Sequence, residues 1–325
     1  MSPLPPPSLD HDGSYSGDHD GPGPGRAFAA ALDDTELAMA CASLGQGRWQ
    51  AVRSLLLRTG DDWERRGHRV TVLARDPHSA SGARDWLRAD PGSADAAVLL
   101  AVALVRRAPR GGERPDRARD ACRAAAALAP ADPTPWLGLL LLERTLGGDQ
   151  DTAEAFEEVR KRCPDHHHAH HLLVARLAER RAPAGPDAHH EVYDFADGSA
   201  ERAPADSPLA ILPVVARAER YRVLAAAGAE SADPAASEHW TGHRARQAAR
   251  AAFDWWLEWE HDGHPRHLVD LNFLAHAKHC AGRTAEAAAL FRRIGEHGTR
   301  APWAYPDRDP RAAFRAARDH ALGGW

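Results

Sequence analysis

The densest cluster of ligating side chains is His166-His167-His168-Ala169-His170-His171. On a helix, His166 with His170 and His167 with His171 form i,i+4 pairs. Each pair can grip one divalent ion, because imidazoles one turn apart converge. A structural or catalytic zinc needs further ligands, and neither an HExxH pair nor a spaced Cys/His set accompanies the run. The competing expectation is a solvated first turn with incidental metal affinity. A second series, His261, His264 and His267, surrounds Gly263 and Pro265, and His276, His279 and Cys280 follow on the next helix. A loop can fold three imidazoles around an ion, with Cys280 completing the set. The alternative is an inter-helix loop with Cys280 in the core. His190-Glu191-Val192-Tyr193-Asp194 starts like a zinc-protease helix but ends in Asp194 instead of the second His, so it is not evidence of a protease.

Two further groups could bind a partner. Phe253, Trp255, Trp256, Leu257 and Trp259 crowd one helix, where Trp255 and Trp259 share a face and Trp256 points about 100° away. A helix apolar on most sides belongs in the core. The functional alternative is a groove receiving a peptide or a cation, with Trp240 and Trp256 the members expected to be exposed. Arg106, Arg107, Arg110, Arg114, Arg117 and Arg119 concentrate positive charge, suited to an acidic or phosphorylated partner. Glu113, Asp116 and Asp120 dilute it, which favours a solvated loop. There is no P-loop, dinucleotide fingerprint, G-x-S-x-G elbow or paired-carboxylate constellation. That leans against an enzyme without closing the question, and no cofactor is expected.

The elements that must carry these residues are helices. Pro133 to Pro164 reads as a helical hairpin: Trp136 and Leu139 on the first helix, Gly147-Gly148 at the turn, Phe156 on the second. Counting Pro133 as position one, these anchors and Pro164 fall where a 34-residue repeat wants them. From Gly60 the template fits again, with Trp63 at position four, Gly67 at eight and Pro91 at 32. Position seven is Arg66 rather than Leu, so this copy is degenerate. Ala96 to Val105 is a helix, Arg106 to Pro115 a loop, and Asp116 to Ala129 the helix closing that hairpin. Asp34 and Thr35 are capping candidates for the first helix. Ala169 to Arg180 makes another first helix. Regularity is then lost, through a loop at Ala182 to Ala188, a helix opening at Glu191 and a long helix from Pro208 to Ala227. Another runs from about Ser237 to Glu260. The last repeat starts near Leu268, with Trp303 and Tyr305 in a loop and Pro310 to Leu322 as a closing helix. Residues 1 to about 26, rich in Pro, Gly, Ser and Asp, read as a disordered tail. The expected organisation is therefore that tail and one helical repeat domain over 27–325. Its regular units lie near 60–180 and 268–300, with irregular helices over 181–260.

Composition narrows the class. The formal net charge is -5 among 325 residues, which argues against a nucleic-acid binder. Alanine-rich segments suit close helix packing, with ten tryptophans filling gaps. Only Lys161 and Lys278 are lysine, so arginine carries almost all the positive charge, as in a GC-rich bacterial genome. Cys41, Cys122, Cys163 and Cys280 are widely spaced without a CxxC, so reduced core thiols are expected rather than disulfides. No signal-peptide pattern opens the chain, and its longest apolar run is too short to cross a bilayer. The expected location is cytoplasmic, away from any membrane.

At its repeats the chain resembles the tetratricopeptide-like superfamily, over roughly residues 34–180 and 237–320. Gly47-Arg48-Trp49, Gly60-Asp61-Asp62-Trp63-Glu64-Arg65-Arg66, Leu128 to Trp136 and Ala301-Pro302-Trp303 resemble an uncharacterised actinobacterial family. Glu191 to Ala196 is similar to a Met-x-x-Phe-Ala stretch in a bacterial domain of unknown function. The Trp-Gly-Gly-Ser that precedes it there is replaced by Ala184-Gly185-Pro186-Asp187. The resemblance implies an all-α, tetratricopeptide-like α-solenoid and carries no activity. The function expected is a non-catalytic scaffold whose concave groove takes a protein or peptide partner. The alternatives are a metal-dependent enzyme or sensor using the histidines, or a regulatory protein sensing a small ligand or peptide near Trp240 to Trp259.

Overall fold

Asp34 accepts a hydrogen bond from the Leu37 amide at 2.9 Å and so starts the first helix, α1 (Thr35–Gly45). The computed structural model describes residues 28–180, 187, 190–259 and 263–323. Among these residues there are sixteen α-helices and no strand. The expected tail, most of the 182–188 loop and His261 lie outside the described residues.

Gly60, at φ 56°, stops α2 (Gln50–Thr59) in a conformation that favours glycine. Asp62 then caps α3 (Trp63–Leu73), and α4 (Ser79–Ala89) follows and packs on the next helix. Ser93 caps α5 (Ala94–Arg107), which is followed by a single 3-10 turn and α6 (Pro115–Leu128). The hairpin read from Pro133 to Pro164 is α7 (Thr134–Leu146) and α8 (Asp149–Arg162). Next come α9 (His167–Glu179), α10 (Glu191–Arg202) and α11 (Leu212–Ala226), where Pro213 occupies the first turn. The chain ends with α12 (His243–Trp259), α13 (His267–Cys280), α14 (Thr284–Ile294), the short α15 (Arg300–Trp303) and α16 (Pro310–Leu322).

Two boundaries differ from expectation. The helix anticipated from Ser237 begins only at His243, because Ser237 caps a separate 3-10 turn at Glu238–Trp240. The loop anticipated from Arg106 is helical at its start, and Arg106 is buried at the end of α5. Trp303 and Tyr305 are buried in and beside α15 rather than sitting in an open loop.

The contacts of the chain gather into two units, Asp33–Leu173 and Val174–Trp325, the second with the turn at 28–32. In the first unit α1 packs on α2, α2 on α3, and each helix from α4 to α8 on the next, and alternate helices also touch: α1 with α3, α3 with α5, α5 with α7. Glycine permits the closest approach. A Cβ on Gly138 of α7 would stand 3.0 Å from Val102 Cγ2 on α5 and 3.5 Å from Cys122 Sγ on α6. The departure at repeat position seven has a structural reason. The buried Arg66 pairs with Asp95 at the start of α5 and, at 2.7 Å, with Asp132 ahead of α7. Arg69 on the same helix reaches Asp34 at 2.8 Å and Glu36 at 3.0 Å. Thus α3 ties α1, α5 and α7 by charge.

In the second unit α13 is the hub, packed by α11, α12, α14, α15 and α16. It is buried on nearly every side, as an all-round apolar helix must be. Asn272 at its centre is fully buried. Its amide donates to Leu268 O at 2.7 Å and His297 O at 3.0 Å, while Oδ1 accepts from Thr299 N and, at 2.7 Å, from Trp303 Nε1. One side chain therefore satisfies the turn before α15 and fixes the Trp303 indole.

Candidate functional site

The C-terminal unit carries a solvent-open cleft of about 470 Å³ at the end of α13. Its floor is His276 and Cys280, one helical turn apart and both buried. Its walls are Trp303, held by Asn272, and the alanine face of α16 at Ala313, Ala316 and Ala317. His279 and His320 meet edge to face with ring centroids 5.6 Å apart, one from α13 and one from the last turn of α16. Arg308 and Asp233 complete the rim, from the loop before α16 and the turn before Pro234.

The floor is built to stay neutral. Burial pushes the His276 imidazole down to about 3, helped by the nearby His279 and Arg308. The ring lies between two indoles, Trp240 and Trp303, each with its centroid 5.1 Å away and nearly perpendicular. Burial pushes the Cys280 thiol up, so no thiolate forms near neutrality. Its sulfur is 3.8 Å from both ring nitrogens of His276, a side-on contact rather than a line along which one nitrogen takes a proton. The pair is not an activated nucleophile. The rim is different. Burial, then the nearby His320 and Arg308, lower the His279 pKa, while Asp233 works the other way. The Arg308 guanidinium is exposed and makes no ion pair among the described residues.

The histidine turn at the start of α9 is placed otherwise than expected. All five imidazoles are buried, so the solvated first turn is corrected. Glu64 of α3 accepts from the His167 amide at 2.6 Å, and His170 Nδ1 stands 2.9 Å from His166 O. Phe156 of α8 meets the His170 ring edge to face at 5.1 Å. Room for His166 comes from Gly67, where an added Cβ would stand 3.2 Å from its Nε2. His167 and His171 pair as expected for one turn, ring centroids 4.1 Å apart. His170 turns its Nδ1 to the His166 carbonyl, which leaves Nε2 as its ligating nitrogen.

The other singled-out residues are dispersed. Arg106 is buried, Arg107 and Arg110 are exposed, and Arg119 is bound to Glu143 at 2.7 Å across the α6–α7 contact. Trp240 is only 2% exposed, against the expectation that it faces solvent, because its 3-10 turn folds it onto Tyr221 and His276. Trp256 is half-buried. The aromatic end of α12 is not core as expected: Leu257 is 61% exposed and the tryptophans sit at the boundary. The fully buried residues of α12 are the alanine stripe Ala245, Ala249 and Ala252, which precedes its aromatic end. His264 lies near α13 but caps locally, with its Nδ1 accepting from Arg266 N. Sequence reasoning found His276, His279 and Cys280 together. It missed Asp233, Arg308 and His320, which no local spacing connects to them.

All four cysteines are free, as expected. No described helix is long and apolar enough to cross a membrane. No protein-family model matches the chain, and no curated protein is similar to it.

Proposed function

We propose that this chain is a non-catalytic, tetratricopeptide-like scaffold that binds a protein or peptide partner. The observation that carries the reading is the packing of α1, α3, α5 and α7 on one another within the N-terminal unit. Repeats that stack their first helices in this way line up one continuous face. The exposed Arg107 and Arg110 at the end of one such helix suit an acidic segment. The test is affinity capture at native expression with wild type, Arg107→Glu with Arg110→Glu, and Arg292→Glu, in the C-terminal unit, as a control. A partner held by wild type and the control but released by the double reversal supports the reading. Equal capture by all three counts against the arginine face.

A second reading, a metal sensor, is favoured by one observation: His167 and His171 are both buried one turn apart. Buried imidazoles are good ligands for zinc, nickel or copper. Elemental analysis of untagged, dialysed protein decides it. Stoichiometric metal lost in His167→Ala supports the reading, and sub-stoichiometric metal removes it.

A further inference from the structure

The cleft in the C-terminal unit lies outside both readings, and its chemistry is divided. The wall is apolar and small, from the alanines of α16 and the edge of Trp303. The rim gathers three nitrogen groups, Arg308, His279 and His320. A volume of about 470 Å³ suits a small organic molecule rather than a bare ion. Arg308 makes no ion pair with a carboxylate among the described residues. A guanidinium fork beside two imidazoles matches a planar carboxylate or a phosphate.

We propose that this cleft binds a small organic anion, with its carboxylate or phosphate held by Arg308, His279 and His320 and its apolar body against Trp303 and the α16 alanines. This goes beyond partner binding and stands or falls separately from it. The imidazoles make binding proton-linked. The groups facing them are His276 and Cys280 from α13, Arg308 from the loop before α16, and Asp233 from the opposite turn. His276 and Cys280 stay neutral, Arg308 opposes imidazole charge, and Asp233 favours it. An anion placed among them favours protonated His279, so affinity rises as pH falls. Asp233 has one oxygen on the Ala235 amide at 3.2 Å, and its charge works against the anion.

The experiment is calorimetric titration of the full chain with benzoate, phenyl phosphate, inorganic phosphate and benzamide, at about pH 6 and about pH 8. Either aryl anion should bind, the tighter one identifying the head group, with benzamide and inorganic phosphate at least about tenfold weaker. Binding should weaken toward the higher pH. Arg308→Gln, at an exposed site, should weaken it about tenfold while circular dichroism stays unchanged. Asp233→Asn should tighten it, and His279→Gln should reduce the pH dependence. Four results would overturn the proposal. They are benzamide binding as well as benzoate, inorganic phosphate binding as well as phenyl phosphate, unchanged affinity in Arg308→Gln, or no heat from any probe at about 10 mM.

Discussion

Arg66 shows how one residue can replace an apolar anchor by a charged one. Burial alone would lower its pKa, but Asp132 and Asp95 more than offset this and hold it above the ordinary value. The guanidinium therefore stays charged and bridges two later helices. Arg66→Leu restores the repeat's usual residue yet strands Asp132, which is almost fully buried. The expected cost is about 3–5 kcal/mol, read as a lower urea midpoint. A midpoint equal to wild type would contradict a structural role for the bridge. Asn272 is the neutral counterpart. Asn272→Ala removes four hydrogen bonds and leaves the Trp303 indole N–H without its acceptor. A loss of about 2–4 kcal/mol is expected, with a shifted tryptophan emission maximum.

At the scale of elements, close approach between helices depends on where side chains are absent. Gly138 lets α7 lie against α5 and α6, so Gly138→Val should cost about 1–3 kcal/mol through overpacking. Gly92, in the turn before α5, has open space around it and no left-handed backbone. Gly92→Ala should be neutral or slightly stabilising. Thermal melts of the two variants check this, and equal shifts would show that the α5–α7 contact is looser than described.

Across the whole molecule, buried imidazoles link stability to pH. Burial lowers the pKa of His170, His239, His276 and His279 below 6.5, His276 to about 3. Below 6.5 the unfolded chain takes up protons that these folded sites refuse, so stability is lost as pH falls. Each fully engaged site contributes a slope of up to about 1.4 kcal/mol per pH unit. Glu158 and Glu286, lowered from 4.5 mainly by ion pairs against the cost of burial, add their losses only at lower pH. Urea midpoints should therefore fall between pH 6.5 and 5, before carboxylates titrate. A flat profile in that window would show the imidazoles to be solvated.

The sequence by itself determined the helices: Asp34, Asp62, Ser93 and Asp309 cap them, Gly60 and Gly282 stop them, and α7 and α8 fall where Trp136 and Phe156 placed them. These are local effects, set by backbone groups a few residues apart. Burial and pairing were decided only by tertiary structure. The histidine run has no apolar spacing to announce its burial, and Trp240 is hidden by a turn rather than by its own helix. The cleft joins Asp233 to His279 and His320 across scores of residues, since packing brings together groups that chain order keeps apart.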